Sequence, residues 1–114
     1  IVIDMIIADI NELEQKLKLE NTIILGDINE NPYDSGCLNA TKFYGISSGE
    51  DAQKGSRLIM GKTFKMFYNP MWNLFGDFSY PPGTYYHNGS ESINSFWNIY
   101  DQVMIRPSMR NCFV

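Results

Sequence analysis

The sequence contains no long apolar run, very little cysteine and no excess of basic residues, and each shortage removes a class of protein. Asp4 and Asp9 interrupt the apolar opening segment, and no other stretch approaches the ~20 apolar residues that a membrane-spanning helix needs. The only cysteines, Cys37 and Cys112, have neither metal-ligand spacing nor a paired framework. That excludes a disulfide scaffold or thiolate zinc site and suits a reducing, cytoplasmic compartment. A net charge of −4 argues against wholesale attraction to nucleic acid, whose binding depends on neutralising phosphates with Lys and Arg. The segment beginning at Ile1 has neither a basic start nor a small-residue cleavage site, so it does not read as a signal peptide. The chain is expected to begin inside something longer.

What is present describes a folded domain. Hydrophobic residues make up 44% and aromatics 14% of the 114 positions, enough to build one core and no more than one small domain or a piece of a larger one. The triplets Asn39-Ala40-Thr41 and Asn88-Gly89-Ser90 match the glycosylation pattern, which has meaning only in a secreted protein, and are read as chance. Lys54, Arg57, Lys62 and Lys65 place four of the nine basic residues within twelve positions. Such a cluster can line a phosphate backbone, but a solvated face is the commoner use of a short charge run.

Hydrophobic spacing locates the main elements. Ile3, Ile6, Ile7, Ile10, Leu13 and Leu17 recur at intervals of three and four, which predicts a helix ending near Leu19 with one buried stripe. Thr22-Ile23-Ile24-Leu25 is a short, β-branched apolar run, as expected of a central strand covered on both faces. It stops at Gly26, and the acidic and amide-rich stretch from Asp27 to Asp34 reads as a loop projecting from the strand end. From Ser35 to Lys65 repeated glycines predict short helices and turns. The aromatics and prolines between Phe64 and Tyr86 predict a structured loop packed on a sheet, with base stacking as the functional alternative to core packing. Phe96 to Arg106, bounded by Pro107, reads as another strand.

The fragment with the most chemical content is Ile23-Ile24-Leu25-Gly26-Asp27-Ile28-Asn29. If the chain stays extended, period two places Asp27 and Asn29 on one side. An aspartate there can take a proton from an attacking water, and an asparagine can donate to a phosphoryl oxygen that gains charge in the transition state. As physics alone, Asp-x-Asn after a strand is more often the pattern of an ordinary Asx turn.

Gly26-Asp27-Ile28-Asn29, followed by Asn31-Pro32, resembles the Gly-Asp-Phe-Asn motif of the endonuclease/exonuclease/phosphatase superfamily, which includes the DNase I-like nucleases. Ile28 stands where that motif usually has Phe. Asn98-Ile99-Tyr100-Asp101-Gln102-Val103 is similar to a later strand of the same superfamily. Tyr68-Asn69-Pro70-Met71-Trp72, Gly83-Thr84-Tyr85-Tyr86 and Asp101 to Pro107 resemble one bacterial branch of it.

The resemblance implies an α/β (α+β) fold that is part of a four-layer α/β sandwich of the DNase I-like type, second half only. Residues 1–114 would then be a single incomplete domain. It implies a hydrolase, nuclease or phosphatase, acting on a phosphoester substrate, nucleic acid among the candidates, with Mg2+ or Mn2+ as cofactor. Carried over residue by residue, Asp27 orients or deprotonates the nucleophilic water, Asn29 holds the phosphate, and Asp101 supports the site by hydrogen bonding. The early Glu that is the family's main metal contact, a His ahead of the first helix, and a late Ser-Asp-His have no counterpart here, so the metal ligands are expected elsewhere. His87, the one histidine, sits in a turn context and is expected to be an exposed loop residue rather than a catalytic one. Gly76-Asp77-Phe78-Ser79 imitates the motif but lacks a preceding apolar strand. The chain alone is expected to be inactive, and half a sandwich leaves faces that invite self-association or pairing with another chain. The other class left open is a non-catalytic binding module that retains the fold.

Overall fold

A computed structural model describes residues 2–78, 80–89 and 96–113. The elements run α1 (Val2–Leu17), β1 (Ile23–Asp27), α2 (Ser35–Leu38), β2 (Gly45–Ile46), α3 (Gly49–Ala52), β3 (Ser56–Ile59), β4 (Lys62–Lys65), β5 (Phe67–Tyr68), β6 (Tyr85–His87), β7 (Phe96–Asn98) and β8 (Asp101–Ile105). Short 3-10 helices span Pro70–Leu74 and Pro107–Cys112. A four-stranded sheet of order β1-β8-β5-β2 carries the fold, flanked by the hairpins β3-β4 and β6-β7. Helix and strand are thus mixed, as expected.

The core lies between α1 and one face of the large sheet. Cys37, Phe43, Phe67 and Met104 are fully buried there, and Ile3, Ile7, Ile10, Ile24 and Ile28 pack against them. The inward stripe of α1 is therefore Ile3, Ile7, Ile10 and Glu14, the last 5% exposed. Leu13 and Leu17, expected on the buried stripe, are 55% and 58% exposed, and Ile6 is 39% exposed. The helix is rotated toward the position where Glu14 can meet Arg106, and that pairing is available only once β8 is in place.

The strand predicted at 22–25 forms as β1, but it is not covered on both faces. It lies at the edge of its sheet, and Leu25 remains 76% exposed. The segment 96–106 divides into two strands in different sheets, with Ile99 and Tyr100 making the step between them. Cys37 has no sulfur partner; burial pushes its thiol up to about 11, with Glu30 and Asp34 adding to the effect against a Gln102 hydrogen bond. It is a small core hydrophobe rather than a nucleophile.

The four basic residues of 54–65 do not form one patch. Lys65 is held by Glu14 at 3.3 Å and Glu20 at 2.6 Å, and Lys54 lies 3.6 Å from Asp51. Lys62 lies over the Phe64 ring. The aromatic segment is also less packed than expected. Phe67 is buried, but Phe78 and Tyr80 stand 102% and 83% exposed.

Candidate active site at the β1-β8 end

Two carboxylates meet because β1 and β8 pair antiparallel in the register Ile23↔Ile105, Ile24↔Met104, Leu25↔Val103, Gly26↔Gln102 and Asp27↔Asp101. Directly opposed residues share a face. Ile24, Met104 and Gln102 turn toward the core, so the alternation leaves Leu25, Val103, Asp27 and Asp101 on the other face. Both aspartates are exposed, and neither takes part in an ion pair among the described residues. Gly26 has φ +152° with nothing near a would-be Cβ. Glycine is required there by conformation, not by space.

Asn29 departs from the extended geometry on which the period-two expectation depended. The strand ends at Asp27, and Asn29 is left-handed with φ 57°, a conformation asparagine tolerates better than most residues. Its backbone N–H donates to Asp27 Oδ1 at 2.8 Å, an Asx turn that engages one oxygen of an exposed carboxylate. Asn29 and Asp101 share no direct hydrogen bond. The loop is tied back by the Ile28 N–H donating to the Tyr100 carbonyl at 2.8 Å. On the other side, Thr84 Oγ1 accepts from the backbone N–H groups of Tyr100 at 3.0 Å and Asp101 at 3.1 Å.

Beneath this end lies a set of buried amides that the sequence reading did not single out as positioning groups. Asn31, Asn69, Asn98 and Gln102 are each 3% exposed or less. Asn31 donates to Asn98 Oδ1 at 2.9 Å and accepts the Ile99 N–H at 2.7 Å. Gln102 accepts from Asn69 Nδ2 at 3.0 Å and donates to the Glu30 carbonyl. The loop after β1 is thereby fixed to β7, β8 and the Pro70–Leu74 helix. For Asn98 and Gln102 the signal was visible as amides inside apolar strands, since polar groups there are buried only with partners; Asn31 and Asn69 lie outside strands and gave no such signal. Gln102→Leu should lower the unfolding free energy by about 2–6 kcal/mol in a denaturant titration, because two polar groups each lose a partner at about 1–3 kcal/mol. An unchanged midpoint would remove the network from the account.

His87 is a correction: it lies in β6, half-buried, with its ring 6.1 Å from that of Tyr85, not in an exposed turn. The strand forms because Tyr85, Tyr86 and His87 pair with Asn98, Trp97 and Phe96. Gly76, Asp77 and Phe78 form an exposed bend, while Ser79 lies outside the described residues; Ser90 of the second glycosylation-like triplet does also.

Among the described residues no group of three or more His, Cys, Asp or Glu side chains is placed to hold a metal ion. A groove of about 770 Å3 lies between α1 and the β3-β4 hairpin, where Lys42, Lys65 and Arg106 already have acidic partners. Its lining includes neither aspartate of the pair, which remains the better candidate on chemistry. No helix of the described residues is long and apolar enough to cross a membrane. Comparison with family models, with curated proteins and with solved structures finds no match to this chain.

Proposed function

We propose that the chain supplies part of the active site of a metal-dependent phosphoester hydrolase of the endonuclease/exonuclease/phosphatase type, as the second half of a DNase I-like sandwich. The observation that supports this most is the direct cross-strand pairing of Asp27 with Asp101. Two carboxylates without a cation, on neighbouring strands and at the same end of an open apolar face, repel one another unless something outside the chain compensates them.

The two carboxylates suit a hard divalent cation as a contribution to a ligand set whose main members are expected outside this chain. Asp27 and Asp101 offer carboxylate oxygens only, and Mg2+ commonly takes one or two carboxylates and keeps water in its remaining positions. When bound, such an ion neutralises charge on the phosphoryl oxygens and lowers the pKa of water. The residues of this chain do the positioning. The Asx turn aims the free oxygen of Asp27 at an attacking water, which it orients and relieves of a proton. Asn29 offers its side-chain amide to a phosphoryl oxygen. Asp101, anchored through Thr84, supports the Asp27 side of the site.

Asp27→Ala in the intact enzyme should reduce turnover of a simple phosphodiester such as bis(p-nitrophenyl) phosphate by about 10²–10⁴-fold. Thermal stability should be nearly unchanged, because the side chain is exposed. Retained turnover would reject the assignment.

A further inference from the structure

We infer that the substrate of this site carries nucleobases and that they stack on an aromatic ladder of Tyr100, Tyr85 and His87 beside the aspartate pair; the inference rests on the hydrolase reading. Tyr100 immediately precedes Asp101. Its ring lies nearly parallel to that of Tyr85, with centroids 5.7 Å apart and planes at 24°, and Tyr85 continues to His87 at 6.1 Å and 38°. Tyr85 and His87 lie two residues apart on β6 and so share one of its faces, and Tyr100 sits in the step between β7 and β8, so the three rings form one run that begins beside Asp101. Tyr85 is 48% exposed, so the ladder presents ring surface to solvent rather than filling the core.

The ladder is rigidly joined to the chemistry. Thr84, the residue before Tyr85, binds the backbone of both Tyr100 and Asp101. Gly83 beside it lies so close to the Asn98 carbonyl that a Cβ would come within 2.7 Å. Thr84 also borders a cleft of about 170 Å3 whose other walls include Leu74, Phe75, Phe78, Pro81 and Ile99. A cleft of that size takes one ring system rather than a whole ligand, for which roughly 300 Å3 or more is usual.

Charge argues for stacking as the source of affinity. Asp27, Asn29, Thr84, Tyr85, Tyr100 and Asp101 include no lysine or arginine, and the two aspartates repel phosphate. A base, in contrast, has a π-face that an aromatic platform recognises regardless of sequence, worth about 1–3 kcal/mol per base. A phosphorylated sugar or inositol has no such face. Single strands are the favoured form, since bases within a duplex are already stacked on each other.

The test is fluorescence anisotropy of labelled oligothymidylate, an abasic phosphodiester of equal length, and a duplex, with chelator present so that nothing is hydrolysed. The thymidylate strand should bind about tenfold tighter than the abasic one. Raising salt should cost much less than the slope of roughly 0.7 per phosphate expected of cationic contacts to single strands. Tyr85→Ala and Tyr85→Leu should each erase most of that preference, with Tyr85→Trp retaining it; leucine keeps apolar volume and so separates stacking from packing. Equal binding of abasic and base-bearing strands, or a leucine variant that binds like the original, overturns the ladder. Turnover of bis(p-nitrophenyl) phosphate that still depends on Asp27 would then leave the hydrolase reading standing alone. Base-dependent binding with no Asp27-dependent turnover by the intact enzyme would keep the ladder and remove the hydrolase.

Discussion

Arg106→Leu should lower the unfolding free energy by about 3–5 kcal/mol, the usual cost of removing one partner from a buried ion pair. Both side chains of the pair are 4% exposed. The guanidinium donates from Nε to Glu14 Oε2 and from Nη2 to Glu14 Oε1, each at 2.9 Å, a two-pronged match that fixes orientation as well as distance. Nη1 donates to the Met66 carbonyl at 3.1 Å and Nη2 to Asn11 Oδ1 at 3.0 Å, and the guanidinium lies over the Phe67 ring at 3.9 Å. One side chain therefore joins α1, the start of β5 and the end of β8. Without it, Glu14 would keep Thr22 and Lys65 among the described residues. Replacing Glu14 and Arg106 together by leucine should recover a large part of the loss, because the pair contributes less than the isolated charge costs. Urea titration of the single and double variants decides the matter, and a single variant within 1 kcal/mol of the original would sink it.

Acid should expose the same contact. Burial acts most strongly on Glu14 and opposes its charge, but hydrogen bonds from Arg106 and Thr22, with the charges of Arg106 and Lys65, together outweigh it and hold the carboxyl below the ordinary 4.5. A group whose pKa is lower folded than unfolded contributes stability above its unfolded value and loses it as pH falls through the folded one. The urea midpoint should therefore decline below about pH 4.5, and Glu14→Gln should flatten that part of the profile. A surface pair such as Lys65 with Glu20, whose side chains are 32% and 55% exposed, adds at most about 1 kcal/mol and is screened by salt.

Local patterns in the sequence were legible where local physics decides the structure. Spacing of three and four located α1, and the β-branched run located β1. The rotation of α1 was not legible, because Glu14 turns inward toward a partner 92 residues away. The β3-β4 hairpin also escaped notice. Its turn uses Met60 at φ 49° and Gly61 at φ 81°, the left-handed pair of a tight hairpin, and methionine gives none of the Asn or Asp signal that usually marks it. At the candidate site, Asp27 was legible as a residue at a strand end, but its opposition to Asp101 depends on an antiparallel register across most of the chain. Asn29 followed the turn chemistry of its own type rather than the strand period. His87 looked like a turn residue because its strand partner, Phe96, lies beyond a stretch of small polar residues.

The face that carries the two aspartates leads to the second large effect, self-association of the isolated chain. Along β1 and β8 the same face presents Leu25 at 76% and Ile23 at 54% exposure. β1 has β8 on one side and no strand on the other among the described residues, so both a row of backbone groups and an apolar surface are open. Edges and faces of this kind pair with whatever matches them, and a second copy is always at hand. Burying a leucine is worth about 1.5–3 kcal/mol, and in a symmetric dimer each substitution counts twice. Leu25→Asp should therefore weaken association by about 3–6 kcal/mol, roughly 10²–10⁴-fold in Kd. In light scattering, the original chain should exceed its monomer mass of 13.1 kDa as concentration rises, and the variant should stay at it. A monomer at every concentration would mean that the open face is tolerated in water. A variant that associates as strongly as the original would move the contact to the outer side of α1, where Met5 and Leu17 are also exposed.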